Sequence, residues 1–475
     1  MSAILAALVR TLFRVRLQGA LPAGAGPLLY AMPHRARLDS LIAPLCLPRR
    51  PVVLVPREET RGRARRLLLR CIPHAVMETN DPATVKKAIR LMDSGRSLLL
   101  YPEGRLFGAA TVMKNYDVPA LIAAKTRVAV VVAVLRYGRG WLPRATLQLS
   151  CETRIGQDPP APLQGARARR ARATRQLQRM LENAALDARK RQSIFDAFLD
   201  ALAAHGRDVE IIEDATEAPR TYREVLKGAL AIGRWVARRT ERGESVGVLL
   251  PNVIPTVCTI LGLTAFARVP AMLNYTAGPV AVRSACTAAR VRTVIASRAF
   301  VEQANLSSLV AALEGLNVVY LEDVRREFGP ADKLWLAAFA LWFPRWATQR
   351  TRSSDPAVVV FTSGSEARPK GVVLSHDNVI TNFLQIATVM DFTPADKILN
   401  ALPLYHSYSF TAGLMLCLLS GTRLFLYISP LRYRAIPEIA YRRDVTGLYG
   451  TSTFLSYYAR HANPLDFHTV RYVIS

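Results

Sequence analysis

The sequence predicts an α/β protein of two domains. Its first part alternates helical patterns with apolar runs that lack the in-and-out alternation of a half-buried strand, at 52–55, 97–101 and 128–135. Such runs indicate parallel strands buried on both faces of a sheet. A basic helical stretch follows at 166–204, and a second series of helix and strand patterns starts at Thr221. We therefore predict a first domain over residues 1–205, which the basic helix closes, a linker near 205–219, and a second domain over 206–475.

Composition narrows the classes of partner. The 475 residues are 51% hydrophobic and carry a formal net charge of +27, which favours a polyanion such as nucleic acid or an anionic membrane surface. Arginines spread over solvated helices account for part of this charge. The arginine cluster at 166–191 has no interleaved aromatic residues and no recognition motif. Nucleic acid is therefore the weakest of these interpretations, and we predict no nucleic-acid partner.

Two segments favour a membrane surface. Residues 1–19 have an apolar stripe interrupted by Arg10, Arg14 and Arg16, which suits an interfacial helix better than a cleaved signal peptide. The segment 333–346 is aromatic and apolar between basic residues, so it is either an interfacial segment or a buried core helix. Six cysteines stand singly, without the paired spacing of a metal or redox site. We expect reduced thiols in a cytoplasmic compartment, no metal site, and a peripheral position on a membrane surface.

The first candidate catalytic group is His34 with Asp39. On one regular helix, residues five apart lie about 140° apart around the axis, so the two side chains meet only if His34 precedes a helix that carries Asp39. Asp39 would then fix the imidazole tautomer and leave the other ring nitrogen as a general base for a hydroxyl. Read alone, the pair is more often coincidental than catalytic.

A second candidate site follows the predicted strand at 98–101. The strand runs directly into Pro102, Glu103, Gly104 and Arg105, at the strand end where open α/β sheets bind ligands. Arg105 is suited to grip a phosphate, and Glu103 to hold a hydroxyl or to orient the arginine. By itself this tetrapeptide is an ordinary turn.

Together, the His34-x4-Asp39 pattern and the YPEGR loop resemble the glycerophospholipid acyltransferase family, and so does the run at 113–134. The resemblance implies that His34 is the general base on the acceptor hydroxyl, that Asp39 orients it, and that Glu103, Gly104 and Arg105 bind the acceptor's phosphate. It implies no cofactor for this half. In that family a proline usually stands near Val132, and this chain lacks it.

The third candidate site is a loop rich in hydroxyl groups and glycine, between two apolar strands. It reads TSGSEARPKG from Thr362 to Gly371 and lacks the Gly-Lys-Ser/Thr ending of a Walker loop. It resembles instead the phosphate loop of the acyl-adenylate-forming enzymes. Pro251-Asn252, the PLYH sequence ending at His406, and Gly450 to Phe454 also follow that family's order. An alanine, Ala367, replaces a common glycine of the loop.

This second resemblance implies a site for ATP and Mg²⁺. The predicted phosphate-binding residues are Thr362, Ser363, Gly364, Ser365, Lys370 and Gly371, and the predicted acyl or adenylate pocket contains His406 and Thr451. As a lone histidine, His406 is equally well interpreted as a core residue. The family's later segments, including an adenine-binding Gly-Ala-Glu and a lid lysine, do not occur before Ser475. We therefore expect an incomplete AMP-binding domain, with no fatty-acid-dependent pyrophosphate exchange.

The order of the domains resembles the bacterial bifunctional family that joins an acyl-acyl-carrier-protein synthetase to a 2-acylglycerophosphoethanolamine acyltransferase. The resemblance implies acyl transfer from acyl carrier protein, or from a coenzyme A thioester, to a lysophospholipid. Three alternatives stay open: fatty-acid ligation to acyl carrier protein as the main activity, acylation of 1-acylglycerol 3-phosphate, and a non-enzymatic basic membrane binder.

Overall fold

The computed structural model describes most of the chain. The described residues are 2–19, 21–22, 26–32, 39–57, 69–70, 72–77, 82–101, 117–126, 128–138, 144–152, 166–187, 191–215, 218–363, 369–390 and 392–475. They form two compact units, residues 1–190 with 387–391, and residues 191–386 with 392–475. Both units are built from parallel-rich sheets and helices, so the α/β class predicted from the sequence is confirmed.

The first unit contains a seven-stranded sheet with the order β1-β7-β6-β2-β5-β3-β4. Neighbouring strands are parallel except β6 and β7. The strands are β1 (Arg16–Gln18), β2 (Leu28–Ala31), β3 (Val52–Pro56), β4 (His74–Met77), β5 (Leu98–Leu100), β6 (Ala129–Gly138) and β7 (Arg144–Glu152). The described helices are α1 (Ser2–Leu12), α2 (Asp39–Cys46), α3 (Pro82–Asp93), α4 (Asp117–Thr126) and α5 (Ala166–Asp187).

Both faces of this sheet are covered, which explains why its strands are apolar without alternation. Leu98 and Leu100 belong to one core cluster, with α3, α4 and α5, whereas Leu99 belongs to the other, with α1 and α2. Successive side chains of a strand point to opposite faces, so a strand between two cores needs an apolar residue at every position.

The second unit contains two six-stranded sheets, ordered β13-β12-β10-β11-β14-β15 and β19-β18-β16-β17-β8-β9. Only β14 with β15 and β8 with β9 are antiparallel among the described pairs of this unit. The strands are β8 (Glu210–Glu213), β9 (Arg220–Thr221), β10 (Ser245–Leu249), β11 (Val269–Met272), β12 (Thr293–Ala296), β13 (Asn317–Tyr320), β14 (Pro356–Ser363), β15 (Pro369–Ser375), β16 (Lys397–Asn400), β17 (Arg423–Leu426), β18 (Gly447–Tyr449) and β19 (Tyr472–Ile474).

Helices cover these sheets, and two short π-helical segments interrupt the pattern at Leu336–Ala340 and Ser409–Met415. The α-helices are α6 (Ile194–His205), α7 (Tyr222–Ala237), α8 (Ile254–Ala265), α9 (Pro279–Ala288), α10 (Arg298–Gln303), α11 (Ser307–Ala311), α12 (Leu321–Glu327), α13 (Pro330–Trp335), α14 (Pro344–Ala347), α15 (His376–Val389), α16 (Leu416–Ser420), α17 (Ala435–Arg442) and α18 (Ser452–His461). Among the described residues, no helix combines the length and the apolar character needed to cross a bilayer.

The domain boundary at residue 205 stays a prediction. Helix α6 belongs to the second compact unit, which begins at residue 191. Its N-terminus is held there because the Ile194 N–H donates to Nδ1 of His376 at 3.1 Å, and because Arg345 forms ion pairs with Asp196 and Asp200. The predicted linker is also partly ordered, since β8 is a strand of the third sheet and pairs with β17.

Candidate active site

The hydroxyl-rich loop joins the two antiparallel strands of the second sheet. β14 and β15 pair up to Thr362 opposite Lys370 and Ser363 opposite Pro369. Thr362 and Lys370 are both exposed, and directly opposed residues hold their Cβ atoms about 4.5–5.5 Å apart. The Thr362 and Lys370 side chains therefore leave the same face of the sheet at the carboxyl end of β14, where a hydroxyl and an ammonium group suit the oxygens of a phosphate chain.

Of the other residues predicted to bind phosphate in this loop, the structure describes some and not others. Gly371 pairs with Phe361, and a Cβ built on it would approach side-chain atoms of Val359 at 3.3 Å and of Phe361 at 3.4 Å. The backbone of Ser363 completes β14. Gly364 and Ser365 lie outside the described residues.

A second loop, between β16 and the π-helix at 409–415, carries His406. Asn252, which follows β10 and is 2% exposed, holds this loop through its carboxamide. Its Nδ2 donates to the Leu402 carbonyl at 2.7 Å, and its Oδ1 accepts from the Leu404 N–H at 3.0 Å. Because a buried amide that satisfies two backbone groups tolerates little displacement, Asn252 fixes the position of the loop.

Aromatic packing joins the same loop to the strand that follows α8. The ring of Tyr405 packs edge-on against Tyr275, with centroids 5.2 Å apart, and its hydroxyl lies 3.3 Å from Oγ1 of Thr276. Tyr275 and Thr276 follow β11, which is the parallel neighbour of β14. The His406 loop and the described ends of the hydroxyl-rich loop, at Thr362 and Lys370, therefore lie along the same edge of the second sheet, at the carboxyl ends of β10, β11 and β14.

Desolvation sets the ionisation of this loop. The ring of His406 packs against Tyr405, with centroids 4.7 Å apart, and partial burial lowers the pKa of His406 although the residue keeps contact with solvent. Burial raises the pKa of Tyr405. At neutral pH the imidazole is therefore uncharged and the phenol protonated, so the loop offers neutral polar groups.

Thr451 follows a strand of the third sheet that lies next to β16, the strand before His406. It follows β18, which pairs in parallel with β16, and it is the N-cap of α18, where its Oγ1 accepts from the Phe454 N–H. The two residues thus follow neighbouring strands at the same sheet edge. The Thr451 side chain is exposed, so its hydroxyl both caps the helix and faces solvent.

In the first unit, the structure places Asp39 but not its predicted partner. Asp39 is fully buried at the first residue of α2, where the positive end of the helix dipole stabilises a carboxylate. His34, Glu103, Gly104 and Arg105 lie outside the described residues. The loops that carry them nevertheless leave adjacent parallel strands, because Ala31 pairs with Leu100 and the Met32 N–H donates to the Leu100 carbonyl at 3.1 Å.

The sequence reasoning missed the partners of the His406 loop. The family pattern contains Pro251-Asn252, but it does not predict the hydrogen bonds of Asn252, which span about 150 positions of the chain. No motif in the sequence indicates that Tyr275 and Thr276 contact this loop. A polar residue directly after the proline that ends a buried strand was the available clue. Among the described residues, no group of three or more His, Cys, Asp or Glu side chains is arranged to hold a metal ion.

Two protein-family models match separate parts of the chain. The family model of AMP-binding enzymes matches residues 198–475, and the acyltransferase family model matches residues 13–136. An acyl-CoA ligase, SID4 of Ajellomyces capsulatus, is 24% identical over 262 residues, which cover 52% of this chain and 44% of that protein. The human mitochondrial medium-chain acyl-CoA ligase ACSF2 is 35% identical over 103 residues, or 21% of this chain and 17% of that protein.

Solved structures share the fold of the second unit. VinN in complex with L-aspartate superposes with a TM-score of 0.50 at 22% identity, and covers 60% of this chain and 70% of that chain. The N-terminal domain of FACL13 from Mycobacterium tuberculosis gives the same TM-score at 16% identity, over 59% of this chain and 69% of that one. This chain spans less than half the length of the curated relatives cited above. Since the AMP-binding model covers more than half of the chain, the protein belongs to the AMP-binding enzyme family and carries an acyltransferase domain before its AMP-binding domain.

Proposed function

We propose that the protein is an acyltransferase that transfers a fatty acyl group from acyl carrier protein, or from coenzyme A, to a lysophospholipid such as 2-acylglycerophosphoethanolamine. The observation that carries the proposal is the presence, in one chain, of an acyltransferase domain and of a domain whose relatives activate carboxylic acids. An enzyme of this kind forms an ester bond to the lysophospholipid hydroxyl, breaks the thioester C–S bond and releases the carrier as a free thiol, which takes up the proton of the hydroxyl. The alternative acceptor is 1-acylglycerol 3-phosphate, whose acylation would use the same proposed catalytic and phosphate-binding residues.

In the first domain, His34 is proposed as the general base that removes the proton of the acceptor hydroxyl. The buried carboxylate of Asp39 fixes its tautomer and stabilises the imidazolium formed on proton transfer. Glu103, Gly104 and Arg105 bind the acceptor's phosphate. The adjacency of β2 and β5 supports this assignment, because it starts both loops at one edge of the sheet.

In the second domain, Thr362, Ser363, Gly364, Ser365, Lys370 and Gly371 are proposed to bind the phosphates of ATP with Mg²⁺. Bound ATP supplies a leaving group for activation of a fatty acid as acyl-AMP. The exposed pair of Thr362 and Lys370 fits this role, since the hydroxyl donates to phosphate oxygens and the ammonium offsets their charge. The uncharged His406 ring and Thr451 are proposed to line the pocket for the acyl group.

One observation favours a second candidate, fatty-acid ligation as the main activity. The AMP-binding model covers residues 198–475, and the curated relatives cited above are named acyl-CoA ligases. Fatty-acid-dependent pyrophosphate exchange distinguishes the two candidates. Exchange that is present in the wild type and lost in Lys370→Ala supports ligation, whereas its absence leaves acyl transfer as the activity of this chain.

The decisive experiment supplies the purified chain with lysophosphatidylethanolamine and one of two acyl sources. The first is preformed acyl-acyl-carrier-protein, and the second is free fatty acid with ATP, Mg²⁺ and carrier protein. We expect diacyl product from the thioester, reduced by about 10²-fold or more in His34→Ala because a general base is lost, and unchanged in Lys370→Ala. Unchanged acyl transfer in a folded His34→Ala variant would contradict the proposal.

We also propose that the protein works peripherally at the cytoplasmic face of the bacterial inner membrane, because a lysophospholipid acceptor resides in a bilayer. The net charge of +27 supports attraction to anionic lipid. So does the segment 334–346, on which four large apolar side chains are more than half exposed: Leu334, Trp342, Phe343 and Trp346.

A further inference from the structure

A large cleft lies at the carboxyl edge of the second sheet, away from the hydroxyl-rich loop. It measures about 1140 Å³ and is lined by residues that follow β10, β12 and β13, together with α7 and the segment 321–341. Its volume slightly exceeds the range of about 300–1,000 Å³ that is usual for small-molecule sites. None of its lining residues belongs to the loop at 362–371 or to the His406 loop, and β11 separates β10 from β14.

The strand order explains why a cleft opens at this position. From β10 the chain crosses through α8 to β11, its neighbour toward one end of the strand order. From β12, which is the other neighbour of β10, the chain crosses to β13, toward the opposite end of the strand order. Two adjacent parallel strands whose connections leave in opposite directions form a topological switch point, where a crevice opens beyond the strand ends. The cleft occupies this crevice, since Leu250 and Pro251 follow β10 and Ser297 follows β12.

The walls of the cleft are mainly apolar. One face of α7 contributes Gly228, Ala231 and Ile232, and the opposite wall includes Leu336 and Leu341. Gly228 allows a close approach of α7 to α8, because a Cβ at this position would lie 2.7 Å from Sγ of Cys258. A long hydrocarbon chain is the occupant that gains most from such walls, through removal of its surface from water.

The charged groups of the lining are unbalanced toward cations. Lys227, Arg325 and Lys333 are exposed, and Arg220 is a fourth cation. The lining also has two carboxylates: Glu224 bonds to Thr221 and Arg220, and Glu322 accepts from Ser297 through Oε1, whereas its Oε2 is buried without a hydrogen-bond partner among the described residues. An apolar interior with a cationic rim is complementary to a molecule with one long hydrocarbon chain and an anionic head.

We propose that this cleft is a binding site for an anionic amphiphile with a single acyl chain, the chain lying against α7 and the 336–341 segment and the head group against Lys227, Arg325 and Lys333. The head is a carboxylate, as in a fatty acid, or a phosphate, as in a lysophospholipid. The proposal does not depend on acyl transfer or ligation, because it concerns residues outside both proposed catalytic sites.

The first test is photo-cross-linking of the full chain with palmitic acid that carries a terminal diazirine, without ATP, followed by peptide mapping. We expect cross-links within 228–232 or 336–341, lost in Ala231→Trp, which fills the cleft, and retained in Ala231→Ser. Cross-links confined to other parts of the chain would overturn the proposal.

The second test measures binding of labelled palmitate by equilibrium dialysis below its micellar concentration. The double variant Lys227→Glu, Lys333→Glu changes only exposed side chains, so it also serves if Ala231→Trp fails to fold. We expect it to weaken binding about tenfold or more, because it replaces attraction by repulsion. The matched control is Arg326→Glu, which reverses an exposed charge on the same helix as Arg325 but outside the cleft lining, and it should bind as the wild type does.

Competitors then identify the head group. Displacement by palmitate alone assigns a carboxylate head, and displacement by palmitoyl lysophosphatidic acid as well assigns a site that also accepts phosphate. Equal displacement by uncharged hexadecanol would contradict the role of the cationic rim and overturn the proposal. Since no arm measures catalysis, failure here is distinguishable from failure of the proposed function.

Discussion

At the scale of single residues, His376 shows how burial links ionisation to stability. It is 1% exposed, and its Nδ1 accepts the Ile194 N–H, so the neutral ring carries its proton on Nε2. Burial lowers the pKa of His376 to about 4, although the charges of Asp355 and Asp196 oppose the shift. A proton on Nδ1 would face the Ile194 N–H and break the bond that holds α6.

The expected consequence is a loss of stability on acidification. Between pH about 6.5 and about 4, the unfolded chain binds a proton at this histidine and the folded chain does not, so the free energy of unfolding falls as the pH falls. The full effect is on the order of 3 kcal/mol. We expect His376→Asn, whose Oδ1 also accepts a hydrogen bond, to flatten this slope in denaturant unfolding, and His468→Asn, at an exposed site, to leave it unchanged. An equal slope in His376→Asn and the wild type would refute the assignment.

At the scale of elements, the crossing of α7 and α8 depends on two glycines. A Cβ at Gly233 would lie 2.5 Å from the Gly262 carbonyl oxygen, and a Cβ at Gly262 would lie 2.5 Å from the Ala229 carbonyl oxygen. The helices therefore touch through their backbones, and one side chain at the crossing would force them apart. Because α7 forms a wall of the cleft and α8 follows Asn252, this crossing also fixes the geometry of the second unit's sites.

We expect Gly262→Ala to lower the free energy of unfolding by about 1–3 kcal/mol, the usual result of overpacking. Backbone atoms, unlike the end of a flexible side chain, cannot move aside locally. Gly329→Ala is the matched control, because a Cβ there meets nothing within 4 Å and its φ of −77° suits any residue. Urea unfolding of both variants checks the prediction, and equal stabilities would contradict it.

At the scale of the whole molecule, the exposed aromatic side chains are concentrated on one segment. Trp342 is 64% exposed, Phe343 54% and Trp346 79%, and the sequence has four cations and no carboxylate between Asp332 and Asp355. Trp335 differs, because it is half-buried with the guanidinium of Arg234 4.1 Å from its ring centroid. The segment is therefore neither wholly interfacial nor wholly core: Leu336 and Ala340 are buried, whereas the aromatic side chains at 342–346 face solvent.

This arrangement predicts vesicle binding that salt alone does not abolish. Sedimentation with vesicles of anionic lipid should show binding that weakens, yet persists, when salt is raised, since apolar insertion is not screened. We expect the triple variant Trp342→Ser, Phe343→Ser, Trp346→Ser to weaken binding about tenfold or more. The control variant Val280→Ser, Leu431→Ser, Leu465→Ser removes equally exposed apolar groups elsewhere and should bind normally. Undiminished binding by the aromatic triple variant would exclude this segment as the docking surface.

Features that depend on local pattern can be predicted from the amino-acid sequence. Unalternating apolar runs such as Leu98 to Leu100 specified parallel strands covered on both faces, and the hydroxyl, glycine and lysine positions of 362–371 specified a loop between strands. Contacts between distant residues become known from the folded chain: His376 bonds to Ile194 and holds α6 in the second unit, and Asn252 bonds to the His406 loop. The strand order that opens a cleft between β10 and β12 is likewise a property of the fold. The physical reason is that periodicity records which face of an element is apolar, whereas the partner that covers this face depends on long-range packing that no local pattern contains.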